Sequence, residues 1–294
     1  MSDLPGQEAR PTLSIVIGAR LGERGAAACI DALAPQVDDE LEVILAVDRA
    51  GVVCPAWAKE VVRPNGLVPE LWAAGIDQAS GRLIGLLAST TVPEDGWVAS
   101  TRAAHGDDVA ILGGAIEPGD GLSIVDWAVY FCRYSPYMRP LGPADGLEVP
   151  GDNASYDGDV LRQYGAMYRT GFWEPMVHQA MRADGHRQAF CEGRIVRAAA
   201  GARASTFRRQ RLAHGREHGR GRAAGVSQGR TLLGLLTAPV VPLLMTARAA
   251  RTVFAKRRLR ARFLAASPLI LWFYTWWAIG EMNGRLDAIR GRNP

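Results

Sequence analysis

The feature that most constrains the fold is an alternation of short apolar runs with helical segments along the first 90 residues. Runs rich in Val, Ile and Leu occur at 12–18, 41–48 and 82–89. Two segments between them, GERGAAACIDALAPQ and PELWAAGIDQAS, carry apolar residues at helical spacing. This alternation predicts an α/β domain with a doubly wound, mostly parallel sheet of the Rossmann-like kind.

The predicted sheet also predicts where a ligand binds. In open parallel sheets the ligand lies beyond the carboxyl ends of the strands, so the loops after Ile17, Val47 and Ala88 should converge on one crevice. No G-x-G-x-x-G follows the first strand, and no G-x-x-x-x-G-K-[ST] occurs in the sequence. The usual phosphate-binding loops of dinucleotide and P-loop proteins are therefore missing.

The charges are divided unevenly along the chain. Residues 1–200 hold 16 Lys and Arg against 27 Asp and Glu, whereas residues 201–294 hold 18 against 3. The resulting sums, −11 and +15, indicate an acidic body joined to a basic segment that meets an anionic surface. The four widely spaced cysteines and the polar N-terminus favour a reducing, cytoplasmic location.

The basic half contains two apolar segments. The first, 232–247, is interrupted by Pro239 and Pro242, and the second, 263–280, has 18 residues without a charge. A spanning helix needs about 20 apolar residues, and the cations between the two segments should stay on the cytoplasmic side. The first segment is therefore expected to be re-entrant or interfacial, on an anionic membrane. The second could span, lie in the interface, or pack as a hairpin on the domain or a dimer partner.

Three strand-and-loop blocks carry a family resemblance. They read LSIVIGAR at 13–20, LEVILAVD at 41–48 and GRLIGLLASTTVPEDGW at 81–97. They resemble family two of the GT-A glycosyltransferases, which transfer a sugar from a nucleotide donor, and the resemblance covers about the first 220 residues of the chain. The resemblance implies that Arg20 and Asp48 lie at the donor, where the carboxylate would accept hydrogen bonds from base or ribose. Judged as a residue alone, Asp48 could instead cap the turn after its strand.

The third block departs from the family at its metal-binding aspartates. Ala88 and Thr90 stand where relatives have Asp-any-Asp. The Mg²⁺ or Mn²⁺ that is usual for the family needs oxygen ligands, and Ala88 offers none from its side chain. The resemblance thus implies donor contacts near Ala88 and Thr90, while no metal ligand is assigned and the cofactor is left open.

Three later blocks extend the resemblance to the acceptor side. ILGGAIEP at 111–118 resembles the strand leading to that side, and VPGDNASYDGDVL at 149–161 resembles the element that would make Asp152 and Asn153 line the site. GFWEPMVHQAMRADGHRQAF at 171–190 resembles the helix whose first turn carries the carboxylate that deprotonates the acceptor, and Glu174 falls at or next to that position. A carboxylate at a helix start beside Pro175 could also serve only to stabilise the helix dipole.

The resemblance implies a mechanism of single displacement with inversion, in which Glu174 takes the proton of the acceptor hydroxyl. The leaving diphosphate must also be neutralised. The candidate cations for that diphosphate, or for a phosphate on the acceptor, are Arg208, Arg211 and Arg216. These arginines could equally form a solvated face. No nucleic-acid-binding motif accompanies them, so nucleic acid is not an expected partner.

These expectations combine into a domain plan. Residues 1–200 are predicted to form a GT-A domain, 201–230 a basic connector, and 231–294 a membrane-associated helical region. The predicted activity is transfer of a sugar from a nucleotide sugar to a lipid-linked or cell-envelope glycan at the cytoplasmic face of the membrane. The alternative is a catalytically silent homologue that acts as a membrane binding or scaffold subunit. A crevice with no carboxylate besides Glu174 would favour that alternative.

Overall fold

The computed structural model describes residues 10–20, 27–51, 54–106, 108–142, 148–223 and 228–291. The strands are β1 (Leu13–Ala19), β2 (Leu41–Val47), β3 (Ala58–Val62), β4 (Leu83–Ala88), β5 (Thr91–Pro93), β6 (Val109–Pro118), β7 (Asn153–Asp157) and β8 (Arg187–Ala198). The helices are α1 (Ala27–Leu33), α2 (Val68–Ile76), α3 (Trp97–Ala104), α4 (Ile124–Tyr134), α5 (Gly158–Gln163), α6 (Gly165–Tyr168), α7 (Glu174–Ala183), α8 (Ala204–Ala223), α9 (Gln228–Thr237), α10 (Val241–Ala255) and α11 (Arg260–Arg290).

The chain divides into two compact units. The first comprises Met1–Glu117 and Tyr137–Ala199, and the second comprises Pro118–Pro136 and Ala200–Pro294. Helix α4 therefore belongs to the second unit although it lies within the first 200 residues. Its Asp126 carboxylate accepts hydrogen bonds from the backbone amides of Gly201 and Ala202, both at 2.5 Å.

The first unit is built on one mixed sheet of eight strands in the order β3-β2-β1-β4-β7-β6-β8-β5. The pairs β2–β3, β1–β2 and β1–β4 are parallel, whereas β4–β7, β6–β7 and β5–β8 are antiparallel. The α/β class predicted from the sequence is confirmed. The parallel pairing that the alternation predicted holds for the first four strands of this order.

The central strands are covered on both faces. Every residue of β1 and of β4 is buried, which is typical of strands between two helical layers. On one face Val16, Ile44 and Leu86 belong to a core that also contains Trp72 of α2 and Val177 of α7. This packing fixes both helices against the sheet.

Two elements show the limits of the sequence pattern. Strand β3 lies in a stretch that the sequence left irregular, because its residues AKEVV are partly exposed on an edge strand and lack a long apolar run. The helix predicted after the first strand is present as α1, but its predicted start at 22–26 lies outside the described residues.

The second unit is helical in its described residues. Most of the basic run predicted as a connector forms α8, a single helix of 20 residues. The two apolar segments fall in α9 to α11, so the predicted C-terminal helical region is confirmed. By length and composition, α11 is able to cross a membrane, and it is the one such helix among the described residues.

Candidate functional site

The carboxyl ends of three parallel strands bring the predicted donor residues together. Strand register pairs Gly18 with Ala88 and Ala19 with Val47, so Arg20 and Asp48 follow directly on adjacent strands. The backbone amide of Ser89 donates to Gly18 O at 3.0 Å, which holds the end of β4 to that of β1. The convergence expected from parallel strand ends is therefore present around Arg20, Asp48 and Ala88.

Asp48 is held between cations at this edge. Its carboxylate is 7% exposed and lies 4.0 Å from Arg20 Nε and 3.7 Å from Arg49 Nε. Its backbone carbonyl accepts from the amide of Asn65 at 3.0 Å, which fixes the loop that leads into α2. The side chain thus presents a charge-compensated acceptor beside the strand ends.

The segment after β4 is tied to the loop before β7. Thr91 Oγ1 lies 2.9 Å from Ala88 O and 3.2 Å from Asp152 O, within hydrogen-bond distance of both carbonyls. The indole Nε1 of Trp72 donates to Leu87 O at 2.8 Å. These bonds fix the end of β4 relative to α2 and to the loop that precedes β7.

Two glycines allow Trp72 to lie this close to the strand ends. A Cβ at Gly18 would lie 3.0 Å from Trp72 Nε1, and one at Gly151 would lie 2.7 Å from Trp72 Cζ3. Both distances are too short for a methyl group against a fixed indole ring. Gly151 thereby places Asp152 next to the end of β4.

Glu174 faces the same loop. It is the first residue of α7, with Pro175 in the first turn, and its Oε1 is so close to Gly151 that a Cβ there would overlap it. Burial raises the pKa of the Tyr137 hydroxyl, and the neighbouring Glu148, Glu174 and Asp152 raise it further. Three carboxylates therefore lie near enough to this phenol to raise its pKa, and two of them, Glu174 and Asp152, were named from the sequence.

A hydrogen-bond chain that sequence reasoning missed starts from the buried Tyr156 and His178 side chains and ends at the partly exposed Glu148. His178, one turn along α7, has Nε2 2.8 Å from the Tyr156 hydroxyl and Nδ1 2.5 Å from Glu148 Oε1. Arg182 also donates to Glu148, at 3.1 Å. The only sequence signal was the spacing of four between Glu174 and His178, which places both on one helix face.

The protonation of this chain follows from its partners. Hydrogen bonds from His178 and Arg182 outweigh burial and hold the pKa of Glu148 below its ordinary value, so its carboxylate accepts only. Burial lowers the pKa of His178, which keeps the ring neutral. Nδ1 must then carry the proton, and Nε2 accepts from Tyr156. The chain is thus fully satisfied and anchors the helix that carries Glu174.

The prediction that Asn153 lines the site needs correction. Its side chain is 0% exposed. Its amide nitrogen donates to Ala115 O and Arg194 O at 2.9 and 3.1 Å, while its oxygen accepts from Trp97 Nε1 at 2.9 Å. Every polar atom of this amide is hydrogen-bonded to neighbouring residues of the first unit. Asn153 therefore holds the adjacent Asp152 loop in place and does not line the site.

The residues present at Ala88 and Thr90 do not fit a divalent cation. Ala88 is 3% exposed and has no side-chain oxygen, and its carbonyl already lies at hydrogen-bond distance from Thr91. Among the described residues there is no group of three or more His, Cys, Asp or Glu side chains that could hold a metal ion. A hard cation would lack the carboxylate ligands it prefers.

The three predicted phosphate-binding arginines lie on α8 in the second unit. Arg216 pairs with Asp287 at 2.7 Å, and the Arg208 guanidinium lies 4.7 Å from the Trp276 ring centroid. Arg211 donates to His214 Nδ1 at 3.1 Å. Among the described residues neither Arg208 nor Arg211 forms an ion pair with a carboxylate, whereas the charge of Arg216 is compensated by Asp287.

Comparison with known proteins gives structural similarities only. No model of a known protein family matches the chain, and no curated protein matches it. One similar structure is a mannosyltransferase, PcManGT from Pyrobaculum calidifontis, in complex with GDP-Man and Mn²⁺. It has 15% identity and a TM-score of 0.49, over 97% of this chain and 87% of that one.

Two other similar structures match with lower TM-scores. Glucosyl-3-phosphoglycerate synthase from Mycobacterium tuberculosis, in complex with phosphoglyceric acid, has 15% identity and a TM-score of 0.42 over 68% of this chain and 75% of that one. TarS from S. aureus has 11% identity and a TM-score of 0.46, over 90% of this chain and 54% of that one.

Proposed function

We propose that this chain is a glycosyltransferase that transfers a sugar from a nucleotide sugar to a lipid-linked or cell-envelope glycan. The observation that carries the proposal is that the strand ends at Arg20 and Asp48 lie beside the loop of Gly151 and Asp152, and that the Glu174 carboxylate of α7 contacts the same loop. The proposed donor site and the proposed proton acceptor then lie next to each other at the carboxyl ends of the parallel strands. The family resemblance of the sequence blocks supports the same assignment.

In this proposal Arg20 and Asp48 bind the nucleotide. The Asp48 carboxylate accepts hydrogen bonds from the ribose or base, and Arg20 compensates its charge or turns toward the phosphates. Ala88 and Thr90 line the donor through backbone and small side chains. Their size leaves room for the sugar where a metal-binding aspartate would otherwise stand.

Glu174 is the proposed general base. The acceptor oxygen attacks the anomeric carbon while its proton passes to the Glu174 carboxylate, and the bond from that carbon to the diphosphate oxygen breaks. The nucleoside diphosphate leaves with the bonding electron pair, and the configuration at the anomeric carbon inverts. The Tyr156, His178 and Glu148 chain keeps α7, and hence Glu174, in position.

The negative charge of the phosphates requires compensation from this chain's own cations, because the donor set does not fit a metal. The cations proposed for a phosphate of the leaving group or of the acceptor are Arg208, Arg211 and Arg216. Arg216 contributes less than the other two, because its guanidinium is already paired with Asp287. Fixed guanidinium groups can stabilise developing phosphate charge in this way.

The proposal also covers the cellular location of the protein and the division of labour along the chain. Residues 1–200 carry the chemistry, 201–230 connect, and 231–294 associate with an anionic membrane surface at its cytoplasmic face. A glycan acceptor that is lipid-linked would be available at that surface. The segment from 241 to 280, with its seven Lys and Arg and no Asp or Glu, supports this placement.

The second candidate function is a catalytically silent scaffold subunit on the membrane. Ala88 and Thr90 in place of metal-binding aspartates favour it. The presence of Asp152 near Glu174 argues against it, because a silent site does not need a second carboxylate beside the strand ends.

A screen for ligand binding, followed by an assay of turnover, separates the enzyme from the scaffold subunit. Nucleotide sugars and nucleoside diphosphates are tested for protection of the full chain against thermal unfolding, since a ligand at 100 times its Kd stabilises by about 2.7 kcal/mol. Protection by one donor, followed by release of its nucleoside diphosphate with a glycan acceptor, supports the enzyme. Protection without turnover on any acceptor supports the scaffold.

A further inference from the structure

Helix α11 presents two different faces along its apolar segment. One face, which includes Phe263, Ile270 and Phe273, is buried within the second unit. The exposed residues from 264 to 279 are all uncharged. They are Leu264, Ala265, Pro268, Trp272, Thr275 and Ile279. Their spacing of three and four residues forms one stripe along the helix.

The buried face of α11 is locked to α8 by reciprocal glycines. A Cβ on Gly215 or Gly219 of α8 would overlap the carbonyl oxygens of Trp277 or Glu281, respectively. A Cβ on Gly280 or Gly284 of α11 would overlap the carbonyls of Leu212 or Arg216. Glycines at these four places let the two backbones touch, so no lipid chain or other helix can lie between them.

The arginine side chains of helix α8 keep this helix out of the hydrocarbon core of a bilayer. The part of α8 beside the apolar segment of α11 carries Arg208, which lies over the Trp276 ring, and Arg211, which stacks on Phe207. Phe207 in turn packs edge-on against Phe273 of α11, with ring centroids 4.7 Å apart. Guanidinium groups are strongly unfavourable at the centre of a bilayer. If α11 crossed the membrane, either these arginines would enter the hydrocarbon core with it or the glycine contact between α8 and α11 would break.

The surroundings of the stripe fit the surface of an anionic bilayer. On α10, Leu243 and Leu244 are 59% and 63% exposed, and the exposed cations Arg248 and Arg251 follow on the same helix. The segment 241–280 holds seven Lys and Arg and no Asp or Glu. Exposed leucines interspersed with arginines are typical of helices that lie at the level of lipid headgroups.

We infer that α11 does not cross the membrane but lies along one leaflet of an anionic bilayer, with the 264–279 stripe and the α10 leucines inserted and α8 on the aqueous side. The protein is then monotopic, and both chain ends stay on the same side. The inference concerns the partner surface only, and holds whether or not the first unit transfers sugars.

Topology is tested on the full chain with different epitope tags at its two ends. Protease is added to sealed inside-out membrane vesicles from cells that express the chain. Both tags should be removed together. Protection of the C-terminal tag alone would show that α11 crosses, and would overturn the inference.

Binding of the 264–279 stripe and the α10 leucines to an anionic bilayer is tested with the purified full chain and phosphatidylglycerol vesicles. Leu264→Glu and Leu244→Glu should each weaken binding by at least about tenfold, because each replaces an inserted leucine by a charge. Val62→Glu, at a residue 40% exposed on β3, is the matched control and should bind as the wild type does. Circular dichroism and unfolding temperature show that the variants are folded.

Two results would contradict the surface assignment. Leucine variants that bind vesicles as well as Val62→Glu would show that the stripe does not meet lipid. Variants that keep vesicle binding but lower the molecular mass in lipid-free solution would instead show that the stripe is an interface between two copies of the chain.

Discussion

The Glu174 carboxylate lies directly over Gly151, with its Oε1 where a side chain at that position would have to go. The contact couples the start of α7 to the loop before β7. Glycine at 151 is required sterically, because the ring of Trp72 approaches the same point from α2. The proposed base and the acceptor loop are therefore placed by one small residue.

Replacement of Glu174 by Gln should abolish most turnover. The amide keeps the shape of the side chain but cannot take a proton, so kcat is expected to fall by about 10² to 10⁴ while the donor Kd stays nearly constant. Glu60→Gln, on the exposed edge strand β3, is the control and should leave both unchanged. A Glu174→Gln protein with normal kcat would transfer the role of base to Asp152.

Gly151→Ala should damage the site without a change of charge. The added methyl group overlaps Glu174 Oε1 and lies 2.7 Å from Trp72 Cζ3, and overpacking of this kind costs about 1–3 kcal/mol of folding free energy. Unfolding temperature and kcat should both decrease. Gly142→Ala, where no atom lies within 4 Å of the new methyl group, should change neither. Equal behaviour of the two variants would show that the Gly151 contact is not maintained in solution.

Donor binding should depend only weakly on divalent metal. Ala88 and Thr90 supply no carboxylate, so addition of a chelator is expected to raise the Kd for a nucleoside diphosphate by less than about a hundredfold, or roughly 2.7 kcal/mol. Calorimetric titration with and without chelator measures this. A larger loss would mean that other carboxylates build a metal site when the nucleotide binds.

His105 should make the first unit sensitive to acid. Burial, with a contribution from Arg194, lowers the pKa of His105 to about 4, below its value of about 6.5 in an unfolded chain. The unfolded chain then binds the proton first, so stability is constant above pH 6.5 and falls by about 3 kcal/mol between pH 6.5 and 4. His105→Gln should flatten this part of the curve, measured by urea unfolding from pH 4 to 8. A variant with the wild-type slope would show that other groups cause the loss.

Two glycines on α8 should respond oppositely to alanine. Gly219→Ala introduces a methyl group onto the backbone of Glu281 and should lower the unfolding temperature of the chain. Gly221→Ala meets no atom within 4 Å and should raise helix stability by up to about 1 kcal/mol, because alanine is the better helix former. Destabilisation of similar size at both positions would contradict the close packing of α8 and α11.

The fold could be predicted from sequence where the pattern is local and strong. β1, β2 and β4 are continuous apolar runs that are buried on both faces, and α2 and α7 have clear helical periods. β3, by contrast, is an edge strand with little apolar content. Helix α4 could not be placed by its position in the chain, because its attachment to the second unit depends on bonds such as those from Asp126 to Gly201.

The candidate site was predictable to the extent that it lies at strand ends. Asp48, Ala88, Asp152 and Glu174 all lie at or next to the end of an element whose position the sequence indicates. Asn153 was misjudged, since the sequence cannot show that its amide bonds inward to Trp97 and Arg194. The Tyr156, His178 and Glu148 chain was missed because its members lie up to 30 residues apart and meet only across the packed helix.

The sequence by itself therefore determined the alternation that builds the sheet, the separation of acidic and basic halves, and the absence of carboxylate side chains at Ala88 and Thr90. These properties depend on residue type and short-range spacing. Only the tertiary structure decided that Glu174 meets Gly151 and that α11 is locked to α8. Those contacts join residues distant in sequence, and their strength depends on the close approach of backbones and on burial, which no local pattern encodes.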